Sequence, residues 1–200
     1  MVSNEEITNL ISAFMRLPGA GPKSGPRMVY YLLNRPDEEV YQFADLIREA
    51  KKKIKYCKYC CTITDQEVCP VCADLTRDHS TIMVVENPRN LETFERTGKY
   101  RGVYHVLNGL VCLAKGITPE DIRLKELIVR LINEDVKEVI ISLNYNPDSE
   151  ATAEYIAKLI KPAGIRVTRI LSGIPTGAEL ENMDDFTLSN ALLNRKEYQV

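Results

Sequence analysis

Four cysteines, Cys57, Cys60, Cys69 and Cys72, stand in a C-x2-C-x8-C-x2-C arrangement inside one 16-residue stretch. Each C-x2-C pair can form a tight knuckle that points two thiolates at one centre. Two knuckles supply the four soft ligands of a tetrahedral zinc site. The spacer from Thr62 to Val68 is short and polar, with room for a small hairpin. Two disulfides, or buried thiols without a role, are the alternatives for the same residues. The doubled C-x2-C pattern favours zinc over both. With all four positions filled by protein, such a metal has no open position for a substrate, and its role is structural. Cys61, beside the second ligand, and the isolated Cys112 read as ordinary thiols.

A second stretch suits phosphate. Leu17-Pro18-Gly19-Ala20-Gly21-Pro22-Lys23-Ser24 joins two segments of helical pattern. Gly19 and Gly21 permit positive φ and leave the turn bare of side chains. Backbone N–H groups at the start of the next helix can then approach a phosphate, and Lys23 and Arg27 add charge. The L-P-G-x-G-P-K-S string is similar to the helix-hairpin-helix DNA-binding module. The plainer alternative is a glycine turn between two core helices.

These residues need elements to position them. Ile7, Leu10, Ile11, Phe14 and Leu17 recur at helical spacing, ended by Pro18 and Gly19. Ser24 is the expected N-cap of a second helix, with Pro26 near its start and Met28, Tyr31 and Leu32 on its apolar stripe. A third helix is expected over residues 37–54. Beyond the cysteines, strand and helix patterns alternate. Strands are expected at 80–86, 104–107, 139–143 and 165–170, and helices at 90–97, 119–133 and 150–160. Such alternation predicts a parallel sheet within an α/β domain. The unbroken apolar run of the third strand suits a sheet covered on both faces.

In a parallel sheet, function gathers at the carboxyl ends of the strands. Glu86 closes the first strand. The third is followed by Asn144-Tyr145-Asn146-Pro147-Asp148-Ser149-Glu150. A glutamate after strand one and a carboxylate-rich loop after strand three resemble the Toprim domain. That resemblance implies a magnesium site built from clustered carboxylates, since Mg²⁺ takes hard, charged oxygens. Here Asn144 and Asn146 fill the two slots where Toprim enzymes carry a D-x-D pair. Glu86, Asp148 and Glu150 remain. Two-metal phosphoryl chemistry is therefore not expected. The alternative for the three acids is that of ordinary polar loop residues.

Composition narrows the classes. A hydrophobic share of 44% fits a folded globular chain, and no apolar run reaches the length of a membrane span. The start, MVSNEEITNL, is acidic and amphipathic, unlike a signal peptide. Thiols used for metal fit a reducing cytoplasm. Net charge is −2, which excludes a uniformly basic nucleic-acid binder. The charge is uneven, however: residues 16–58 are net basic, and residues 179–185 are acidic.

The full order, helix-hairpin-helix, C4 zinc knuckle, Toprim-like α/β parallel-sheet domain and C-terminal helical tail, resembles the bacterial recombination mediator family RecR. The fold class is thus α+β in several parts. The expected divisions are 1–55, 56–78, 79–175 and 176–200. The stretches carrying the resemblance include the hairpin turn, the four cysteines, Val84-Val85-Glu86, Tyr100 to Leu107, Glu150 to Ala153 and Gly173 to Leu180. The resemblance implies a non-catalytic protein of DNA repair that forms rings, dimeric or tetrameric, around DNA. With RecO and RecF such a protein helps load RecA onto SSB-coated single strands. Carried onto this chain, it implies structural zinc on the four cysteines, DNA at Gly19, Gly21, Lys23 and Arg27, and partner contact at Glu86, Asp148 and Glu150. The first helix and residues 186–193 are the candidate self-association surfaces. The alternative function is an active Toprim nuclease or topoisomerase-like enzyme. The chain departs from the family at Gly25-Pro26, Asn108, Leu143, Tyr145, Asp148-Ser149 and Ser172, none of which is a zinc ligand, Lys23 or Arg27.

Overall fold

The apolar runs that follow the cysteines assemble into one four-stranded, wholly parallel sheet in a computed structural model that describes residues 4–170 and 173–195. Ser172 lies outside the described residues. The strands are β3 (Asp78–Val85), β4 (Gly102–Val106), β5 (Glu138–Ser142) and β6 (Arg166–Arg169), in spatial order β4-β3-β5-β6. Val84 sits opposite His105 on one side and Ile141 on the other, and β-branched pairs such as Ile82–Val139 and Val84–Ile141 line the β3–β5 register.

Side chains alternate across this sheet. Ile82, Val84, Val103, Val139 and Ile141 point to one face and pack with Leu127 of α6 (Leu124–Asn133) and Ile156 and Ile160 of α7 (Pro147–Ile160). Met83, Val85, Tyr104 and Val106 point to the other and pack with Leu91 of α5 (Pro88–Thr97). Both faces are covered, as the apolar third strand predicts.

Helix boundaries follow local chemistry. Asn87 caps α5 in a reciprocal capping box with Asn90, and Pro88 occupies the first turn, so the helix starts two residues before the expected 90. The helix expected at 119–133 begins only at Leu124. Residues before it form a turn in which Asp121 accepts from the Thr118 N–H at 2.8 Å. Ile122 is buried from that turn and not from a helix.

The chain falls into two compact units, Met1–Ile54 and Lys55–Val200. The first holds α1 (Glu5–Met15), α2 (Ser24–Leu33) and α3 (Asp37–Lys53). Only Gly25 and Val29 are buried in these helices. Ile7, Leu10, Ile11 and Phe14 of α1 are half-buried, whereas Tyr41, Phe43, Leu46 and Ile47 of α3 lie open. The chain ends, within the described residues, on helix α8 (Asp185–Leu193), capped by Asp184. No helix among the described residues is long and apolar enough to cross a membrane.

Two ionisable groups are built into the larger unit. Burial pushes His105 down to about 4, and its Nε2 lies 2.6 Å from the Arg123 carbonyl, so the ring is neutral with Nε2–H donating. Arg130 is buried. It donates to the Tyr104 carbonyl at 2.8 Å and to Glu134. Arg130→Ala strips both acceptors and leaves a partly buried carboxylate unpaired. We expect a loss of about 3 kcal/mol, seen as a lower urea midpoint; an unchanged midpoint would mean the guanidinium carries no structural weight.

Candidate metal centre and nucleic-acid interface

The cysteine segment folds around its own sulfur atoms. β1 (Lys55–Tyr56) pairs antiparallel with β2 (Ile63–Thr64), so the first C-x2-C sits in the bend between them. The expected spacer hairpin is thus displaced: half of the spacer pairs back across the first knuckle. The Cys57 N–H donates to the Thr62 carbonyl at 2.8 Å and the Cys61 N–H to the Cys57 carbonyl at 3.0 Å. Cys69 and Cys72 flank the start of the short helix α4 (Pro70–Ala73), and Pro70 at its first position fixes the second knuckle.

The four ligand sulfurs converge within 4.8 Å of one another, and all four residues are buried. Cys60 and Cys69 sulfurs are 3.5 Å apart, far beyond a disulfide bond. Thiolates at about 2.3 Å from one zinc stand roughly 3.8 Å from each other, which suits this spacing. Backbone N–H groups of Cys69 and Cys72 aim at the Cys57 and Cys69 sulfurs at 3.3 and 3.5 Å, as thiolate acceptors require. Hydrogen bonds from Cys60, Cys69 and Cys72 push the Cys57 thiol far down, and Cys57 in turn drives Cys60 and Cys72 up. Four thiolates this close need a cation between them. Among the described residues no other group of three or more candidate ligand side chains converges in this way.

Cys61 takes no part in the cluster. Burial raises its thiol to about 11, and its backbone is left-handed at φ 60°. Its carbonyl accepts from the Asn108 side chain at 2.8 Å, and Asn108 is itself left-handed at φ 56°. The Val106 N–H donates to the Cys60 carbonyl at 2.7 Å. The knuckle is therefore fastened to the end of β4 by two hydrogen bonds. Asn108 makes one of them. No local sequence signal marks that role.

In the smaller unit, the glycine turn has the expected shape with different internal parts. Gly19 is left-handed at φ 79°; Gly21 is not, and space around it is open. Ser24 is the first residue of α2 and not its cap, since Lys23 holds that position. The Ser24 hydroxyl accepts from the Gly21 N–H at 2.8 Å, and the Gly25 N–H donates to the Gly21 carbonyl at 2.8 Å. Pro26 has no N–H. Of the backbone donors here, those of Lys23 and Ser24 have no acceptor among the described residues. Lys23 and Arg27 are exposed and without an ion-pair partner among the described residues. Gly25, one of the departures from the family pattern, is the buried residue of this turn. A Cβ there would stand 2.6 Å from the Met15 side chain, so glycine lets α1 and α2 approach closely.

The acidic residues stand at the carboxyl edge of the parallel sheet, each with an internal partner or a helix role. Glu86 accepts from the Asn144 amide at 3.0 Å. Glu150 holds Arg169 through two hydrogen bonds of 2.6 Å, which lower its carboxyl, and Arg169 lies over the Tyr145 ring at 4.5 Å. The Asn146 side-chain oxygen caps α7 by accepting from the Ser149 N–H at 2.9 Å. Asp148 is half-buried in the first turn of that helix. The two asparagines thus act as a donor to a carboxylate and as a helix cap.

Comparison with known proteins places these parts. Family models match for a RecR helix-hairpin-helix at residues 7–51, a RecR four-cysteine zinc-finger domain at 54–74, a Toprim domain at 80–171 and a RecR C-terminal segment at 173–196. The chain is 45% identical over 191 residues to Recombination protein RecR of Bifidobacterium longum subsp. infantis, covering 96% of each chain. It is 46% identical over 190 residues to that of Bifidobacterium adolescentis, 95% of each. With that of Dehalococcoides mccartyi it shares 44% over 192 residues, 96% of this chain and 94% of the relative.

The four cysteines form a structural zinc site with an all-thiolate ligand set. So small a knuckle has little apolar core, so metal binding supplies its folding energy, on the order of 10 kcal/mol at neutral pH. Purified wild-type protein should carry one zinc per chain by elemental analysis. Cys69→Ser should lose the metal and melt at lower temperature. Full melting temperature without zinc would exclude a structural role.

Proposed function

The chain belongs to the RecR family of recombination proteins, and from that membership we propose that it is a DNA-binding mediator of recombinational repair that holds strands and partners without cutting them. On this reading it forms a ring around DNA. With RecO and RecF it helps load RecA onto SSB-coated single strands in the cytoplasm. The observation that carries the DNA-binding role is the hairpin turn, where Lys23 and Arg27 stand exposed beside backbone donors left open at Lys23 and Ser24. Nothing in that turn reads a base edge, so contact is to the phosphate backbone and independent of sequence. Gly19 and Gly21 contribute by keeping the approach clear.

The second role belongs to Glu86, Asp148 and Glu150, taken as the docking point for a basic surface of RecO. Against a catalytic Toprim reading, Asn144 and Asn146 bring no charge, and Arg169 already occupies Glu150. A partner cation at Glu150 must compete with that guanidinium, whereas Glu86 offers a carboxylate with one neutral donor. Glu86 is therefore the stronger contact of the two.

Self-association follows from the exposed apolar side chains of the smaller unit. Leu46 is 70% and Ile47 58% exposed on α3. A surface of this kind is covered by a symmetric copy in a closed oligomer. The first helix, whose apolar stripe is half-buried, is the weaker candidate. Phe186, Leu192 and Leu193 on α8 offer another exposed surface.

Two measurements check these roles. Lys23→Ala with Arg27→Ala should weaken binding to any DNA sequence and flatten the salt dependence by about one phosphate contact per residue. Unchanged affinity and slope would place the DNA elsewhere. Light scattering should give wild type a mass at least twice the 22.7 kDa chain, and Leu46→Glu with Ile47→Glu should lower it. A wild-type mass near that of one chain at micromolar concentration would exclude the ring.

A further inference from the structure

Two tyrosines on the zinc knuckle lie open to solvent, Tyr56 at 53% and Tyr59 at 41% exposure. Each already carries a cation on its ring. The Arg123 guanidinium lies 5.0 Å from the Tyr56 centroid, and the Lys58 ammonium 5.3 Å from that of Tyr59. The backbone beneath them is fixed. Lys58 N–H donates to the Glu67 carbonyl at 3.1 Å, Cys57 and Cys61 are tied as above, and the metal cluster flanks Tyr59 on both sides in sequence.

Tyr59 also lines two adjoining hollows. One, of about 450 Å³, lies between Lys58, Lys125, Val129 and Arg130. The other, of about 490 Å³, reaches Leu75 and His79, and Leu75 is 90% exposed. Arg130 and Glu134 are common to both. Lys55 and Lys125 have no ion-pair partner among the described residues, while Lys58 pairs with exposed Glu67 at 3.2 Å and Arg123 with half-buried Glu126 at 2.7 Å.

A rigid pair of exposed rings beside several cations, two of them without an ion-pair partner among the described residues, is the equipment for binding an unpaired nucleic-acid strand. Each base offers a π-face to a ring, and the cations track the backbone between bases. Paired bases in a duplex are stacked on each other and offer no such face. The other exposed ring with a cation over it in the larger unit, Tyr145, is differently placed. Its hydroxyl is bonded to the Ile170 carbonyl, and the guanidinium above it is committed to Glu150.

We propose that Tyr56 and Tyr59 form a stacking site for bases of single-stranded DNA, with Lys55, Lys58, Arg123 and Lys125 holding its phosphates. The site is separate from the hairpin turn and discriminates single strands from duplex, which backbone contact alone does not.

The test uses the zinc-loaded full chain, a fluorescent oligo(dT) and a duplex of equal length. Tyr56→Ala with Tyr59→Ala should weaken oligo(dT) binding roughly 5- to 150-fold for each ring removed, the range for loss of one base–aromatic stack, and leave duplex binding unchanged. Tyr56→Phe with Tyr59→Phe should restore wild-type affinity, since the ring and not the hydroxyl stacks. Zinc content and melting temperature report folding. Lys23→Ala with Arg27→Ala should weaken both ligands, so failure of the hairpin and failure of this site are distinguishable. A second measurement needs no variant: photocrosslinking of an oligonucleotide carrying 5-iodouracil should label Tyr56 or Tyr59. Unchanged oligo(dT) binding in a zinc-replete alanine variant, equal losses on duplex, or crosslinks confined to other residues would overturn the proposal.

Discussion

Convergence of four buried sulfurs on one centre is the constraint from which much of the larger unit follows. The segment from Lys55 to Ala73 has two strands of two residues each and one helix of four. Elements so short do not hold themselves together in water. Once a metal fixes the two knuckles, the Cys60 and Cys61 carbonyls are presented to Val106 and Asn108 at the end of β4. Val71 of α4 packs both on the sulfur cluster and on the sheet face formed by Met83, Val85 and Tyr104. The knuckle is therefore part of the packing of the α/β core, and metal binding and sheet stability are coupled.

The carboxyl edge of the sheet has a different economy. A catalytic Toprim site must keep several carboxylates close, unpaired and aimed at a metal. Here Glu86 faces an amide N–H and Glu150 faces a guanidinium. Each internal donor does part of what a cation would do. Such an edge is suited to recognition: its acids are oriented by neighbours and stand where the loops leave the sheet.

Much of this was legible in the chain. The cysteine spacing specified the metal centre because knuckle geometry is local. The β-branched runs specified the strands because a doubly covered sheet tolerates no polar face. Where the reading slipped, the cause was a contact between distant residues or a competing local bond. Ser24 looks like a cap, yet its hydroxyl turns back to Gly21. The helix expected from 119 is delayed by the Thr118–Asp121 turn. Asn144 reads only as a missing acid because its partner Glu86 is set by the fold, whereas Asn146 caps α7 through Ser149 three residues on. The Arg169 pairing to Glu150 spans 19 residues and the Asn108 bond to Cys61 spans 47, beyond any periodicity argument.

The proposed function requires that this chain hold nucleic acid and partners without cutting DNA at its Toprim edge. Incubation of the zinc-loaded chain with supercoiled plasmid and Mg²⁺ or Mn²⁺, followed by separation of the DNA forms on a gel, tests it most directly. The account predicts that the supercoiled form persists unchanged at every protein concentration that binds DNA. Nicking or relaxation that Glu86→Ala abolishes would contradict it, because a carboxylate held by Asn144 would then be serving a catalytic metal.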